Sequence, residues 1–565
     1  MEYIMFSVIA VLFLLFVFVQ GKMQENKQRK WFLQKLRDEY GQKPQREYKP
    51  ERYVRIPGYY ECHRDQWQID DITWNDLGMD EIFERMNYTL SSTGEEYLYY
   101  RLRTPEFDPD KLKHFNEIVE YFDKNQEERI SFQLLMRKLG TTGKFSLYDY
   151  LEYLTSFDGL SNIKEFFVLA LFGLSIFVLV FNPTVGILAL VALCAYQMLC
   201  YHKIRKSIDP YITSLAYMIR LSEIADKVRK LDIPVCQQEN HRILERIKNL
   251  QSMKRGSYWV FHDPKNNTSG NPLDAIMVYI TMIFHVDLII FQKMLGAVKS
   301  KVHEIDALVS ILGYMETAVC VGLYRASLSN GYAIPDFTEG DLVISEAYHP
   351  MIEEPVKNSI IASKSVLLTG SNASGKSTFL KTVALNVLLS QTIYTASAQA
   401  YKGPIFQLYS SMSLKDNLEN GESYYIVEIK AIKRIMEAAA ENIEGKNVPI
   451  ICFVDEVLRG TNTTERIAAS SQILKSFADK EVLCFAATHD IELTEILKED
   501  FENYHFAEEV SGNDILFNYK LQPGRATTKN AIRLLQLMGY DSEIIDKANE
   551  QAAHFEKTGI WRNIQ

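Results

Sequence analysis

The eight residues 370–377, GSNASGKS, constrain the fold of this chain more than any other segment does. They match the pattern GxxxxGK(S/T), follow the short aliphatic run SVLLTG and precede a stretch whose apolar residues recur at helical spacing. A strand, a glycine-rich loop and a helix in this order favour phosphate binding, because the loop amides and the helix N-terminus face the same anion. The sequence therefore predicts an α/β P-loop NTPase domain, whose mixed sheet has strands at about 365–369, 449–454 and 482–488 and later antiparallel strands.

The residues of this loop suit contact with a nucleotide for separate chemical reasons. Lys376 is expected to reach the β- and γ-phosphates of ATP, and the Ser377 hydroxyl is expected to ligate Mg²⁺. The residues predicted to bind ATP are Gly370, Ser371, Asn372, Ala373, Ser374, Gly375, Lys376, Ser377 and Thr378.

Two further strands end in residues that suit ATP hydrolysis. The apolar run PIICFVDE ends in Asp455, which is expected to hold Mg²⁺, and in Glu456, which is expected to orient and polarise the attacking water. The run VLCFAATH ends in His489, at the end of a strand where open α/β sheets bind ligands, so this side chain is expected to sense the γ-phosphate or position water. The alternative for Asp455 and Glu456 is that they are solvated acids at a strand end, and the alternative for His489 is that it is a core or capping histidine. The predicted catalytic residues are Lys376, Glu456 and His489, and the predicted metal ligands are Ser377 and Asp455.

Four segments together carry a resemblance to the ATPase domain of the MutS mismatch-repair family. They follow the family's order and spacing over about residues 341–550: TGSNASGKSTFLKT, DNLENGESYYIVE at 416–428, VDEVLRGTNTTE at 454–465 and ATHDIEL at 487–493. His349-Pro350 resembles the family's element before the nucleotide domain, and residues at about 70–140 resemble more weakly the start of its helical core domain. The resemblance implies an α/β ATPase domain of the MutS/ABC type joined to a mainly α-helical core or lever domain.

The resemblance also implies a homodimer with composite ATP sites. In the family, the loop that matches residues 416–428 reaches across to the nucleotide of the partner subunit. Ser423 is therefore expected to face the opposite γ-phosphate, with Asn417 and Gly421 shaping the loop. Taken alone, this segment indicates only a polar loop before a helix.

Individual positions both follow and depart from the family pattern. Asn372 matches the asparagine of the family's P-loop. The residues that match the turn after the family's acidic pair are Arg459, Gly460 and Thr461. Leu458 stands where the family usually has glycine, and Asp490 stands where it usually has an aromatic residue. Neither departure removes a phosphate or Mg²⁺ ligand, so the expected effect is on local loop geometry.

Two apolar stretches predict three membrane spans. Residues 3–20 contain no charge and precede several lysines and arginines, which predicts an N-terminal anchor followed by a cytoplasmic chain; a cleaved signal peptide is the alternative. Residues 166–201 contain an Asn-Pro pair at 182–183, which predicts two short helices, about 166–181 and 184–201, in a hairpin that returns to the cytoplasmic side. A buried hairpin in a soluble core is the alternative. These features predict a multi-pass cell-membrane protein that contacts the lipid bilayer and has a cytoplasmic ATPase domain.

Charge and cysteine content restrict the partners of the chain. Lys and Arg number 62 against 72 Asp and Glu, and a net charge of −10 opposes non-specific nucleic-acid binding, so DNA is a possible partner that the charge does not support. About 50 residues separate the anchor from the core-like region, too few for the family's mismatch-reading and connector domains. The seven cysteines include no CxxC pair, which makes a zinc site unexpected and fits a reducing compartment.

These observations predict a membrane-anchored MutS-like ATPase that closes around ATP as a homodimer and thereby moves its helical arms, with an unidentified cargo or partner protein. The alternatives are a membrane-tethered DNA-binding protein of mismatch repair or recombination and a transporter-type ATPase, which the scarcity of polar residues in the hairpin opposes. The predicted order is an anchor (1–21), a basic juxtamembrane segment (22–69), a helical core and lever-like domain (70–340) interrupted by the hairpin (166–201), the ATPase domain (341–550) and a tail (551–565). The juxtamembrane segment is either a solvated helix or a site for anionic lipid.

Overall fold

The computed structural model describes most of the chain and divides it into two compact units. The described residues are 2–46, 48, 50–64, 67–143, 145–156, 163–250, 280, 282–285, 300–371, 374–412, 424–440, 448–458, 461–511, 514–526, 532, 535–536 and 538–563. Unit 1 contains Met1–Asp65, Arg85–Tyr100 and Asn116–Ser327, and unit 2 contains Gln66–Glu84, Arg101–Phe115 and Leu328–Gln565. Unit 2 therefore joins two short segments from the N-terminal half of the chain to the C-terminal part.

The described chain up to residue 326 is helical. In chain order the helices are α1 (Glu2–Asp38), α2 (Pro50–Arg55), α3 (Gly58–Cys62), α4 (Asp71–Asp76), α5 (Met79–Met86), α6 (Ser92–Arg103), α7 (Pro109–Lys124), α8 (Gln126–Leu139), α9 (Leu147–Ser156), α10 (Ile163–Phe181), α11 (Pro183–Arg229), α12 (Gln237–Leu250) and α13 (Val302–Ala326). A 3₁₀ turn, Pro234–Cys236, precedes α12.

Helix α13 forms the centre of unit 1. Most of its side chains are buried, and α8, α11 and α12 pack against it. Its last turn is held by Arg325, whose guanidinium donates to the Asn116 side-chain oxygen at 2.7 Å. This helix is long and apolar enough to cross a membrane, but 83% of its apolar window is buried, as in the core helix of a soluble unit.

Several charged side chains are buried around this core. The Arg55 guanidinium forms an ion pair with Glu95, which also accepts a hydrogen bond from the Asn87 amide at 2.8 Å. The Ser146 hydroxyl donates to the Glu96 carboxyl at 2.7 Å. Burial nevertheless raises the pKa of Glu96 to about 8, because desolvation outweighs the hydrogen bond from Ser146 and the charge of Arg55. Unit 1 therefore contains a carboxyl group that stays protonated near neutral pH.

Helices α10 and α11 form the predicted hairpin, with Asn182 alone between them. The Asn182 side chain accepts a hydrogen bond from the Val185 amide at 3.3 Å, which caps α11. A methyl group at Gly186 would lie 2.4 Å from the Leu179 Cα, so the two helices approach at a distance that requires glycine. The expected end of the second helix near residue 201 is wrong, because α11 continues to Arg229 and its last part packs inside unit 1. The hydropathy falls after residue 201 because the helix passes from an exposed apolar part to a part that is packed in unit 1. The helix itself continues through this change.

The hairpin side chains are unusually exposed for apolar residues. Val180 is 76% exposed, Leu188 and Leu199 are each 73% exposed, and 17% of the apolar window Pro183–Ile204 is buried. In the described part of the chain, that segment and α13 are the two helices long and apolar enough to cross a membrane. Residues 3–20, the predicted anchor, lie within α1. The span count and the cell-membrane location stay predictions.

Unit 2 contains two sheets. The strands are β1 (Asp336–Phe337), β2 (Leu342–Ala347), β3 (Asn358–Ala362), β4 (Ser365–Thr369), β5 (Ala400–Gly403), β6 (Gln407–Ser411), β7 (Ile450–Asp455), β8 (Leu483–Ala487), β9 (Phe501–Ser511) and β10 (Asp514–Pro523). The larger sheet has the order β10-β9-β4-β8-β7-β6, in which β10 is antiparallel to β9 and the other pairs are parallel. The smaller sheet has the order β1-β5-β2-β3. The described helices of the C-terminal part are α14 (Lys376–Ile393), α15 (Tyr424–Ala438), α16 (Thr463–Asp479), α17 (Glu492–Ile496) and α18 (Ser542–Thr558).

The three strands expected from the sequence are β4, β7 and β8, which are adjacent in the larger sheet in the order β4-β8-β7. Their residues are almost all buried, as expected for parallel strands with helices on both faces. The register aligns Leu368 with Ala487 and Ala487 with Asp455, so the carboxyl ends of the three strands meet at one edge. The predicted mixed α/β sheet is confirmed, and its geometry brings the three predicted motifs together.

Helix α4 covers the edge strand β6 within unit 2. The buried Asp76 carboxylate accepts a hydrogen bond from the Ser410 hydroxyl at 2.6 Å and another from the Met412 amide at 2.8 Å. The Ser410 amide donates to the Thr73 hydroxyl at 3.2 Å, and the Trp67 indole donates to the Tyr409 hydroxyl at 3.0 Å. These contacts protect the sheet edge from pairing with another chain.

Candidate functional site

The predicted phosphate-binding loop connects β4 to α14. Gly370 has φ +147°, and Gly375 has φ +106°, both in the left-handed region that favours glycine. A methyl group at Gly370 would lie 2.8 Å from the Ser374 hydroxyl oxygen. Since α14 begins at Lys376, the loop leads directly into a helix N-terminus, which attracts anions.

The Lys376 side chain folds back into this loop. Its ammonium group donates to the carbonyl oxygens of Gly370 and Ser371, both at 2.8 Å. The side chain is buried, and these two hydrogen bonds hold its positive charge inside the phosphate-binding loop. This position suits a cation that binds the phosphates of a nucleotide.

The two predicted metal ligands are brought together by α14 and β7. The Ser377 hydroxyl, in the first turn of α14, donates to the Asp455 carboxylate at the end of β7 with an O–O distance of 2.5 Å. A hydroxyl and a carboxylate oxygen are hard donors of the kind that Mg²⁺ prefers. The residues present therefore fit a magnesium ion held between the loop and the strand.

Glu456 and His489 also meet at this edge. The His489 Nε2 lies 2.9 Å from the Glu456 Oε1, within hydrogen-bond distance. The Glu456 amide donates to the Ala487 carbonyl at 2.9 Å, and its backbone has φ +60°. A left-handed glutamate is uncommon and costs energy, which the surrounding sheet must offset. The arrangement holds a carboxylate at a fixed position beside an imidazole.

A cavity of 470 Å³ lies beside these groups. The predicted residues that line it are Ser371, Gly375, Lys376, Ser377, Thr378 and Glu456. Residues that the sequence analysis did not assign to the site, or assigned only as part of a family element, also line it: His349, Ile352, Phe506 and Tyr519. The cavity therefore combines a phosphate-binding end with an apolar and aromatic wall, as small-molecule sites often do.

Tyr519 is fixed at the cavity by its backbone. It has φ +53° within β10, where the pairing with β9 changes register. The Asn358 side chain donates to the Tyr519 carbonyl at 2.9 Å and accepts from the Leu521 amide at 2.8 Å. A methyl group at Gly375 would lie 3.2 Å from the Tyr519 ring, so the aromatic ring is placed against the phosphate-binding loop. No motif in the sequence marks this residue, because the contact depends on a bulge in a distant strand.

His349 also lines the cavity. The Met351 amide donates to its Nδ1 at 3.3 Å. Burial and, to a smaller degree, the charge of Lys381 lower the pKa of His349 to about 4. The imidazole is therefore neutral at physiological pH and can pack against an uncharged group.

The two departures from the family pattern lie next to the site. Leu458 is buried with φ +61°, and its amide donates to the Glu428 carboxylate. The resemblance leads one to expect glycine at this position. Leu458 adopts the left-handed backbone conformation that glycine adopts more easily, so the turn after β7 has the shape expected with glycine. Asp490 forms an ion pair with Arg466 of α16.

Some predicted residues lie outside the described residues. They are Asn372 and Ala373 of the phosphate-binding loop, Asn417, Gly421 and Ser423 of the expected trans loop, and Arg459 and Gly460 of the turn after β7. The roles predicted for these residues stay predictions. Thr461 is described, and its hydroxyl donates to the Glu465 carboxylate at 3.2 Å.

Comparison with known proteins places the site in a family context. The sequence profile of MutS domain V matches residues 366–556. The chain is 30% identical over 239 residues to the DNA mismatch repair protein MutS of Thermus aquaticus, a match that covers 41% of this chain and 28% of that protein. It is 28% identical over 238 residues to the same-named protein of Thermus thermophilus, again covering 41% and 28%. It is 26% identical over 285 residues to that of Halothermothrix orenii, covering 48% and 31%. The chain thus spans less than a third of the length of these curated relatives.

Proposed function

Since this chain belongs to the MutS family through its C-terminal domain, we propose that it is a Mg²⁺-dependent ATPase. The proposed site is the cavity that is lined by the phosphate-binding loop, by Glu456 after β7 and by Tyr519 of β10. ATP is the proposed substrate, with its phosphates at the loop and its base toward Tyr519 and His349. The aromatic ring and the neutral imidazole suit an uncharged heterocycle.

One observation carries this proposal above the others. The Lys376 ammonium lies in the phosphate-binding loop and the Ser377 hydroxyl donates to the Asp455 carboxylate, so a cation, a hydroxyl and a carboxylate meet at the start of α14. Lys376 and Ser377 also line the cavity. Bound Mg²⁺ would neutralise the charge that develops on the phosphate oxygens as water attacks the γ-phosphate and ADP departs. Ser377 and Asp455 would hold the ion, and Lys376 would bind the phosphate oxygens.

Glu456 is the proposed group that orients the attacking water. Its carboxylate lines the cavity and lies 2.9 Å from the His489 imidazole, which limits its rotation. His489 is the proposed sensor of the terminal phosphate. A carboxylate that is already oriented avoids reorganisation during the reaction.

We further propose that the active form is a homodimer of ATPase domains. The support is the resemblance of residues 416–428 to a loop that completes the partner's site, with Asn417, Gly421 and Ser423 in the matching positions. ATP can shift a dimer toward closure only if it binds the closed state more tightly, and a composite site supplies that difference. Closure would then move the helical arms.

The membrane attachment is also a proposal. The proposed bilayer segments are the exposed apolar hairpin of α10 and α11 and residues 3–20 of α1, which carry no charge. Side chains as exposed as Val180 and Leu188 are costly in water and favourable in lipid. The basic residues that follow each segment support a cytoplasmic location for the rest of unit 1 and for the ATPase domain.

DNA binding is the second candidate function. It is favoured by the relatives, which are named as DNA mismatch repair proteins. It is opposed by the net charge of −10. The same preparation can therefore test ATP hydrolysis and DNA binding together.

The central experiment uses the full chain purified in detergent. ATP hydrolysis, ATP binding and oligomeric state are measured for the wild type, Lys376→Ala and Glu456→Gln. Lys402→Ala, in the smaller sheet, is the control, because it removes one positive charge as Lys376→Ala does. We expect Lys376→Ala to lose ATP binding, Glu456→Gln to bind ATP without hydrolysing it, and the control to match the wild type. Unchanged hydrolysis in Lys376→Ala would overturn the site.

Three further measurements test the remaining proposals. A Glu456→Gln protein that binds ATP and stays monomeric would refute the composite dimer. DNA binding is measured at low salt with ATP present, where phosphate contacts are strongest. Absence of binding under these conditions would remove the second candidate function. Extraction of the protein from membranes by carbonate alone would contradict the proposed bilayer segments.

A further inference from the structure

A bidentate ion pair lies next to His489, the residue that contacts the proposed catalytic carboxylate. The Arg466 Nε donates to one Asp490 oxygen at 2.8 Å, and a terminal nitrogen of the same guanidinium donates to the other oxygen at 2.5 Å. The Asp490 side chain is 11% exposed and the Arg466 side chain is 25% exposed. Two parallel hydrogen bonds in a mostly buried place fix both distance and orientation, which a surface ion pair does not do.

The acidic partner is joined to the site by one peptide bond. Asp490 follows His489, the residue that contacts Glu456. The Asp490 amide donates to the Thr488 hydroxyl at 3.0 Å, and its carbonyl accepts from the Leu493 amide at 3.2 Å. The backbone around His489 is therefore held on both sides, and the side chain of Asp490 supplies a third attachment.

The basic partner is joined to the other side of the site. Arg466 lies in the first turn of α16, a helix whose N-terminus is capped by the Asn462 side chain. The Ser470 hydroxyl of the same helix donates at 3.1 Å to the carbonyl of Val457, the residue after Glu456. The hydrogen bonds from Arg466 to Asp490 raise the pKa of the guanidinium, and the charges of Asp490 and Glu456 act in the same direction. The pair thus links the strand end that carries His489 to the helix that supports the backbone beyond Glu456.

We propose that Arg466 and Asp490 are a positioning pair that holds the His489 imidazole against the Glu456 carboxylate during ATP hydrolysis. This inference rests on the proposed ATPase function. Neither residue lines the cavity, so their effect is on the orientation of other groups and not on nucleotide contact. Asp490 is also a position where the chain departs from the family resemblance, so here an ion pair occupies a place that an aromatic residue usually fills.

The test compares substitutions that break the pair from either side. Arg466→Met, Asp490→Ala and the double variant are measured in the full chain for the turnover number, the KM for ATP, the affinity for ATP and the unfolding temperature. Lys475→Met is the matched control, because Lys475 lies on the same helix and pairs with Asp500 at 2.8 Å, at the end away from the site. Arg466→Lys keeps the charge and loses the bidentate fork.

We expect each single variant to lower the turnover number by about tenfold, because small displacements of a catalytic group have effects of this size. The KM and the affinity for ATP should stay within about twofold, since the cavity contacts remain. The double variant should be no slower than the slower single variant, because both changes break one pair. Arg466→Lys should fall between the wild type and Arg466→Met, and the control should match the wild type.

Other outcomes separate this inference from the proposed function. Turnover numbers that equal the wild type in both single variants, or effects that add in the double variant, would overturn the positioning pair. The positioning pair would also be overturned if, across the variants, the affinity for ATP fell together with the unfolding temperature, because that pattern indicates a general loss of structure. A wild type that hydrolyses no ATP would refute the proposed function, and with it this inference.

Discussion

Removal of the Asp76 carboxylate tests how firmly the N-terminal segment is attached to the ATPase sheet. In unit 2 this side chain is buried and accepts hydrogen bonds from the Ser410 hydroxyl and the Met412 amide. Both donors are at the end of β6, the edge strand of the larger sheet. Asp76→Ala removes both acceptor contacts and leaves the two donors in a site with little access to water.

The expected magnitude follows from these two contacts. A hydrogen bond to a charged group contributes about 1.5–3 kcal/mol, so two of them contribute about 3–6 kcal/mol in a buried site. Both hydrogen bonds are accepted by the same carboxylate oxygen, Oδ2, so the side-chain carbonyl of Asp76→Asn can accept both as neutral hydrogen bonds. Since neutral hydrogen bonds contribute about half as much as charged ones, Asp76→Asn should cost about half as much as Asp76→Ala. Asp71→Ala is the control, since its side chain lies on the same helix, is 82% exposed and forms an ion pair with Arg103 that should contribute at most about 1 kcal/mol.

Hydrogen exchange measured by mass spectrometry can localise the effect. Amides of β6 should exchange faster in Asp76→Ala than in the wild type, in proportion to the lost free energy, while amides of β4 change less because that strand is central. Thermal unfolding in detergent should show a lower midpoint for Asp76→Ala and a nearly unchanged one for Asp71→Ala. If the two variants show the same amide exchange in β6 and the same unfolding midpoint, the free energy assigned to the two Asp76 hydrogen bonds is wrong.

Three other expectations concern pH, packing and nucleotide affinity. Because burial raises the pKa of Glu96 to about 8 from an ordinary value near 4.5, the stability that its bound proton supplies is complete below pH 4.5 and is lost as the pH rises through 8. Glu96→Gln cannot ionise, so calorimetry should show it unfolding several degrees above the wild type at pH 9 and close to it at pH 5. Gly186→Ala places a methyl group 2.4 Å from the Leu179 Cα and should cost about 1–3 kcal/mol in thermal unfolding, while Gly173→Ala, which meets nothing within 4 Å, should cost less. Tyr519→Ala should weaken ATP binding about three- to tenfold in a titration, with Tyr519→Phe close to the wild type.

The sequence predicts the centre of unit 2 well because the signals there are local. The runs that become β4, β7 and β8 are short, apolar and bounded by glycine or acidic residues, and the structure gives each a buried strand. Residues at the ends of parallel strands in one sheet must lie close together. The contacts of Ser377 with Asp455 and of Glu456 with His489 therefore follow from the motif order once the strands are adjacent.

Other features depend on contacts between residues far apart in the chain. Tyr519 lines the cavity because a bulge in β10 and the Asn358 side chain set its backbone, and neither leaves a pattern in the sequence. The docking of α4 on β6 joins residues separated by more than 300 positions, so no local period can indicate it. The Arg466–Asp490 pair is similar, since each residue taken alone resembles a solvated surface charge.

The length of α11 has a mechanical consequence for any motion of unit 1. This helix has 47 residues, which corresponds to about 70 Å at 1.5 Å per residue. It begins in the exposed apolar hairpin and ends where Tyr217 and Leu221 are buried in unit 1. A rotation of the buried end of α11 must therefore tilt the hairpin unless the helix bends between these two parts of unit 1. The position that offers least resistance to bending is Pro210, because proline lacks the amide donor of a helical hydrogen bond.

Replacing Pro210 with alanine should stiffen the connection, and in the proposed ATPase it should change the coupling between nucleotide binding and hairpin tilt without changing the cavity. Spin labels on the hairpin of the full chain, compared with and without ATP, would measure that coupling, and an identical response in the wild type and the variant would exclude a hinge at this proline.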